Sequence, residues 1–180
     1  MEYHNKTYSS KWILALIGLS LGCIVLPMAY SGINTALAAI RLGLDSSVTQ
    51  IQWMMNIYGI VGASTLVTMG KFADIFGRKK LFIIGLVILF ISMLGSGLSN
   101  NIGWVIFFQA LFGLACGIIL PVSQVLFSQL YPEEQKNRAL GLWAAIGGVG
   151  FAIGPLFGGC FNVVCYCAYG NIVAGIRKAI

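Results

Sequence analysis

The stretch Gly70 to Lys80 carries Lys71, Arg78, Lys79 and Lys80 against a single acid, Asp74, and it separates two runs with no charge at all, Gln50 to Met69 and Leu81 to Leu98. Each run is about 18 to 20 residues, the length a helix needs to cross a hydrocarbon core about 30 Å thick. A charged island between two such runs predicts a loop at a membrane surface. Short cytoplasmic loops collect Lys and Arg, so the island and the N-terminus are expected inside the cell, which orients every other segment.

The rest of the chain repeats the pattern. Charged residues make up 9% of it and its mean hydropathy is +0.89, against about 25% charge in ordinary soluble domains. Without water in the bilayer core each span must satisfy its own backbone, and long charge-free runs without two-residue alternation select helices over a barrel. The expected fold class is all-α, polytopic and membrane-embedded. It has a cytoplasmic tail (1–11), a bundle (12–161) with five helices at about 12–40, 50–69, 81–98, 103–130 and 139–161, and a divergent tail (162–180). Pro27 predicts a kink in the first helix. Ser47 or Thr49 is expected to cap the second.

The net charge of +6 does not mark a nucleic-acid binder, because the basic residues stand at the ends of apolar runs, where they set topology and meet lipid headgroups. The five cysteines have no zinc-site or disulfide-framework spacing, and no histidine stands near them. The chain has no P-loop, nucleophile elbow or metal-ligand cluster, so neither enzyme activity nor a cofactor is expected. The expected surroundings are a cell membrane and its lipid.

With the motifs in view, the island resembles the loop between helices two and three of the major facilitator superfamily, written G-x-x-x-D-x-x-G-R-[RK]-x. Gly70, Asp74, Gly77, Arg78 and Lys79 match it. Gly141, Gly150, Gly154, Pro155, Gly158 and Gly159 resemble the helix-five motif of the superfamily's antiporters. Ile51-Gln52-Trp53, Tyr58, Tyr131-Pro132-Glu133 and Arg138-Ala139-Leu140-Gly141 resemble its drug:proton antiporter branch with fourteen spans. The resemblance runs from about Asn34 to Gly159 and then stops, which looks like an N-terminal piece truncated after helix five.

The resemblance implies multidrug efflux by alternating access. It assigns gating to the island motif and to the helix-five glycines, and it makes Asn34, Gln109 and Gln124 candidates for the substrate cavity. The small-molecule substrate and the coupling ion are not specified. Three positions depart from the branch: Ala29 stands where it usually has an acid, Ala38 where it has a proline, and Gln109 where it has an arginine. No Asp, Glu, Lys, Arg or His occurs in 12–40, 50–69, 81–130 or 139–176, so these spans hold no proton relay. Proton-driven export by this chain alone is therefore not expected. The glycine face of helix five is expected to lack its usual partner and to meet lipid, a second-half polypeptide or a second copy in a homo-oligomer. The other reading is a non-transporting membrane remnant or a small membrane scaffold.

Overall fold

The computed structural model describes residues 10–156, which are helical almost throughout. Residues 1–9 of the tail expected at 1–11, the tail expected at 162–180, and Gly158 and Gly159 lie outside the described residues, while Ser10 and Lys11 already belong to the first helix. Five helices follow one another: α1 (Ser10–Gly43), α2 (Val48–Phe76), α3 (Arg78–Gly97), α4 (Ile102–Leu130) and, after a short 3-10 turn at Glu133–Gln135, α5 (136–156). No strand occurs among the described residues.

The ends of these helices follow from local chemistry. Ser47 caps α2 in a reciprocal box: its Oγ accepts from the Gln50 amide at 3.2 Å, and its own amide donates to Gln50 Oε1 at 2.9 Å. Asn101 caps α4 by accepting from the Gly103 amide at 2.8 Å. Pro132 separates α4 from α5 because it cannot donate into the preceding turn. α1 stays helical through Pro27.

Four helical segments are long and apolar enough to cross a membrane: Ile17–Ala38, Arg78–Gly97, Ile102–Gln129 and Glu133–Leu156. α2 is 29 residues long, but Gln50, Gln52, Asn56, Ser64, Thr65 and Thr68 dilute its apolar content, and it is not among the four. The chain is a multi-pass, all-α membrane protein. Its outer surface carries Ile60, Val67, Ile83, Val87, Phe90 and Leu94, all exposed, which suits contact with lipid tails.

α4 is the axis of the bundle. Of its apolar window 56% is buried, against 28% for α3 and 17% for α5, and it packs along both α2 and α3. Its Phe112, Ile119, Val122 and Phe127 are almost fully enclosed. Glycines set how closely the other helices approach. A Cβ on Gly113 would stand 2.5 Å from the Tyr58 carbonyl oxygen, and one on Gly117 would strike Thr65 and lie 3.0 Å from the Gly62 carbonyl, so α2 and α4 meet backbone to backbone. In the same way a Cβ on Gly150 would lie 2.5 Å from the Ile24 carbonyl, and one on Gly154 would strike Ser31 and come within 2.7 Å of the Met28 carbonyl. This corrects the expectation of an unpartnered glycine face on α5: the turn holding Gly150 and Gly154 rests on α1. Gly141, Gly147 and Gly148 meet nothing within 4 Å, so that part of the helix is open.

Two buried clusters divide the bundle, a larger one reaching from its middle to one end and a smaller one at the other end. Leu19, Ala73, Leu81, Phe82 and Phe127 belong to one, with Trp143 and Ile146 against it. Met54, Ile102 and Val105 form the other, with Ile40 and Leu44 against it. The α2–α3 and α4–α5 connections therefore lie at one end, and the α1–α2 and α3–α4 connections at the other.

Candidate functional site

The island is not an extended loop. α2 runs through Gly70 and Asp74 to Phe76, and α3 begins at Arg78, leaving Gly77 alone outside the helices. Its φ of +93° and ψ of 122° lie where a side chain is strained, so glycine makes this one-residue reversal possible. The turn keeps Asp74 and Arg78 one helical turn apart. The Arg78 guanidinium donates to Asp74 Oδ1 from Nε at 3.1 Å and from a terminal nitrogen at 2.7 Å. Asp74 is well exposed, so the pair adds only a few tenths of a kcal/mol to stability. Lys79 is exposed beside it, and Gly70 has open space around it.

At the neighbouring turn Lys136 donates to exposed Glu133 at 2.5 Å. Lys71, Arg78, Lys79, Lys80, Lys136 and Arg138 thus gather at one end of the bundle, while the other end has Arg41 and Asp45.

A cavity of about 500 Å³ lies between α1, α4 and α5, with Tyr58 of α2 at its side. It arises from helical stripes: Cys23, Pro27 and Tyr30 on α1, Cys116, Leu120 and Ser123 on α4, and Trp143, Gly147 and Phe151 on α5. Residues three, four and seven apart share a helix face, so each stripe lines one wall. Gly147 and Gly148 give the α5 wall its depth. The rings engage each other: Tyr30 and Tyr58 at 4.8 Å between centroids, Tyr58 and Phe112 at 5.3 Å, and Tyr30 edge-on to Phe151 at 5.8 Å. Three of the polar side chains on α4 and α5 and the Tyr58 hydroxyl are likewise paired within the wall. Trp143 Nε1 donates to Ser123 Oγ at 3.1 Å, Ser123 Oγ donates to the Leu120 carbonyl at 3.0 Å, and the Tyr58 hydroxyl and Cys116 thiol share a hydrogen bond at 3.5 Å.

Behind Tyr30 and Tyr58 lies a chamber of about 20 Å³, lined also by Ile33, Asn34, Met54, Met55 and Gln109, room for about one water molecule. Gln109 is buried, and Asn34 Nδ2 donates to the Tyr30 carbonyl at 3.0 Å. The structure brings Asn34 and Gln109 together and leaves Gln124 exposed outside both spaces. Ala29 is buried in the core. Among the described residues no group of three or more His, Cys, Asp or Glu side chains is placed to hold a metal. Sequence reasoning missed Tyr30, Trp143, Phe151, Cys23 and Ser123 as wall residues. Their signal was the shared helical spacing of the three stripes, which becomes specific only once the stripes are known to face one another.

Comparison with known proteins agrees on one family. The profile described as Major Facilitator Superfamily matches residues 19–166. The chain is 28% identical over 144 residues to the tetracenomycin C resistance and export protein of Streptomyces glaucescens, covering 80% of this chain and 27% of that protein. It is 28% identical over 159 residues to a multidrug export protein of Escherichia coli, covering 88% and 31%. It is 31% identical over 156 residues to the methylenomycin A resistance protein of Bacillus subtilis, covering 86% and 34%. The chain thus spans about a third or less of the length of these relatives.

Proposed function

Because the chain belongs to the Major Facilitator Superfamily, we propose that it supplies part of the N-terminal bundle of a small-molecule exporter of the drug-resistance kind, working by alternating access. The observation that carries this reading is the 500 Å³ cavity, whose size and largely apolar, aromatic wall suit a small organic molecule. In this reading Asp74, Arg78 and the Gly77 reversal form a gate at one membrane surface. The α5 glycines let α5 ride on α1 as the bundle moves, and Asn34 and Gln109 supply polar groups beside the substrate. The open α5 surface at Gly141 and Val149 receives a second bundle, from another polypeptide or a second copy. Any titratable group that couples transport to protons stands outside these spans, since Ala29 and Gln109 cannot serve.

The test is Ala144→Trp, which fills the cavity from an exposed position. In cells that also supply the second bundle, so that the unaltered gene lowers accumulation of a lipophilic fluorescent dye, the gene with this change is expected to leave accumulation as high as in cells without the gene. Accumulation equal to that of the unaltered gene would contradict the reading.

We place the N-terminus and the Gly77 turn in the cytoplasm, supported by the basic residues gathered at that end. In a cysteine-free background, a Phe76→Cys thiol is expected to resist an impermeant maleimide added to intact cells and to react after permeabilisation. Reaction from outside would reverse the orientation.

A further inference from the structure

The cavity wall is free of formal charge, and much of its hydrogen-bonding capacity is spent within the wall. Of its lining residues only Cys23, Cys116, Tyr30 and Tyr58 are titratable, and thiols and phenols are ordinarily uncharged at neutral pH. The Tyr58 hydroxyl shares its hydrogen bond with the Cys116 thiol, Trp143 Nε1 donates to Ser123 Oγ, and Ser123 Oγ donates to the Leu120 carbonyl. The rings of Tyr30, Tyr58 and Phe151 pack together, and Phe112 packs behind Tyr58.

We infer that the wall contributed by this chain selects uncharged, flat aromatic molecules and rejects permanently charged ones of the same shape. The inference rests on the transport reading and narrows it to a substrate class. The magnitudes decide the sign. A cation moved from water into a site with no counter-charge loses several kcal/mol of hydration, while a cation–π contact returns about 0.5 to 2 kcal/mol, and here the tyrosine faces are turned toward other rings. An uncharged aromatic loses no ion hydration and gains the apolar contact.

The experiment uses acridine at alkaline pH, where it is uncharged, and N-methylacridinium, which has nearly the same shape and a fixed positive charge. The full chain carries Trp12→Phe, Trp53→Phe and Trp104→Phe, so that Trp143 in the cavity wall is the remaining tryptophan. It is placed in nanodiscs of zwitterionic lipid, and Trp143 emission is titrated with each compound. Saturable quenching by acridine is expected, with N-methylacridinium binding about tenfold or more weakly. Ala144→Glu sets a carboxylate at an exposed point of the wall and is expected to close or reverse that gap. N-methylacridinium binding as tightly as acridine, or a gap that Ala144→Glu leaves unchanged, would overturn the selectivity while leaving a small-molecule cavity standing. No saturable quenching by either compound would overturn the cavity reading along with it.

Discussion

Two helix crossings in this molecule are built from the same sequence device and do different work. Gly113 and Gly117 let α4 lie against α2, and Gly150 and Gly154 let α5 lie against α1; in each pair the glycines are four residues apart, and a Cβ added at any of them would come within 3.0 Å of a backbone carbonyl oxygen. The first crossing sits in the middle of the bundle, with Phe112, Ala115, Cys116 and Ile119 buried around it. The second sits at the margin: α5 beyond it is largely exposed, and the 500 Å³ cavity opens beside it. A small-residue pair therefore specifies close approach, while its position in the bundle determines whether the approach builds a core or a wall.

The largest expected effect follows from that difference. Gly113→Leu forces a side chain against the Tyr58 backbone, which cannot turn aside as a side chain can, and is expected to cost at least about 3 kcal/mol. Gly150→Leu meets Pro27 and the Ile24 carbonyl, but α5 can tilt outward toward lipid, so about 1–3 kcal/mol is expected together with a deformed cavity. Unfolding in mixed detergent micelles measures both. Equal losses would show that position in the bundle does not matter, and Gly141→Leu, with open space around it, is the neutral reference.

A smaller effect separates stability from gating. Asp74→Asn removes an exposed ion pair and is expected to change stability by about 0.3 kcal/mol. If the Gly77 turn is a gate, the same change reduces dye export in cells by far more than that loss explains. Export falling only in step with stability would reduce the pair to a helix-end contact.

How much of this was legible in the sequence depended on range. Charge-free runs gave the helices and their alternation, because the bilayer leaves the backbone no other partner. Asp74 and Arg78 stand four residues apart, a spacing at which side chains meet wherever the backbone is helical, and of Ser47 and Thr49 it is Ser47 that caps α2, with the reciprocal bond to Gln50 seen only in the structure. A charged island between apolar runs predicts a loop on the premise that charge ends a membrane helix. In the structure Lys71 and Asp74 extend α2 beyond the apolar run, and only Gly77 breaks it. The cavity was less legible: Asn34 and Gln109 were picked out by resemblance, whereas Trp143 and Phe151 become wall residues only through the contact of α5 with α1. Glycines report that a helix can be approached and do not report by what, which is why α5 was expected to lie bare.

The contact between α5 and α1 is thus what everything said of the cavity depends on, and it can be observed directly. Phe151 is exposed on α5, and its ring meets Tyr30 of α1 at 5.8 Å between centroids. With p-benzoylphenylalanine in place of Phe151, irradiation of the chain in nanodiscs followed by peptide mass spectrometry is expected to give an intramolecular cross-link to the α1 peptide containing Tyr30. Cross-links found only to lipid or to a second copy of the chain would contradict the account.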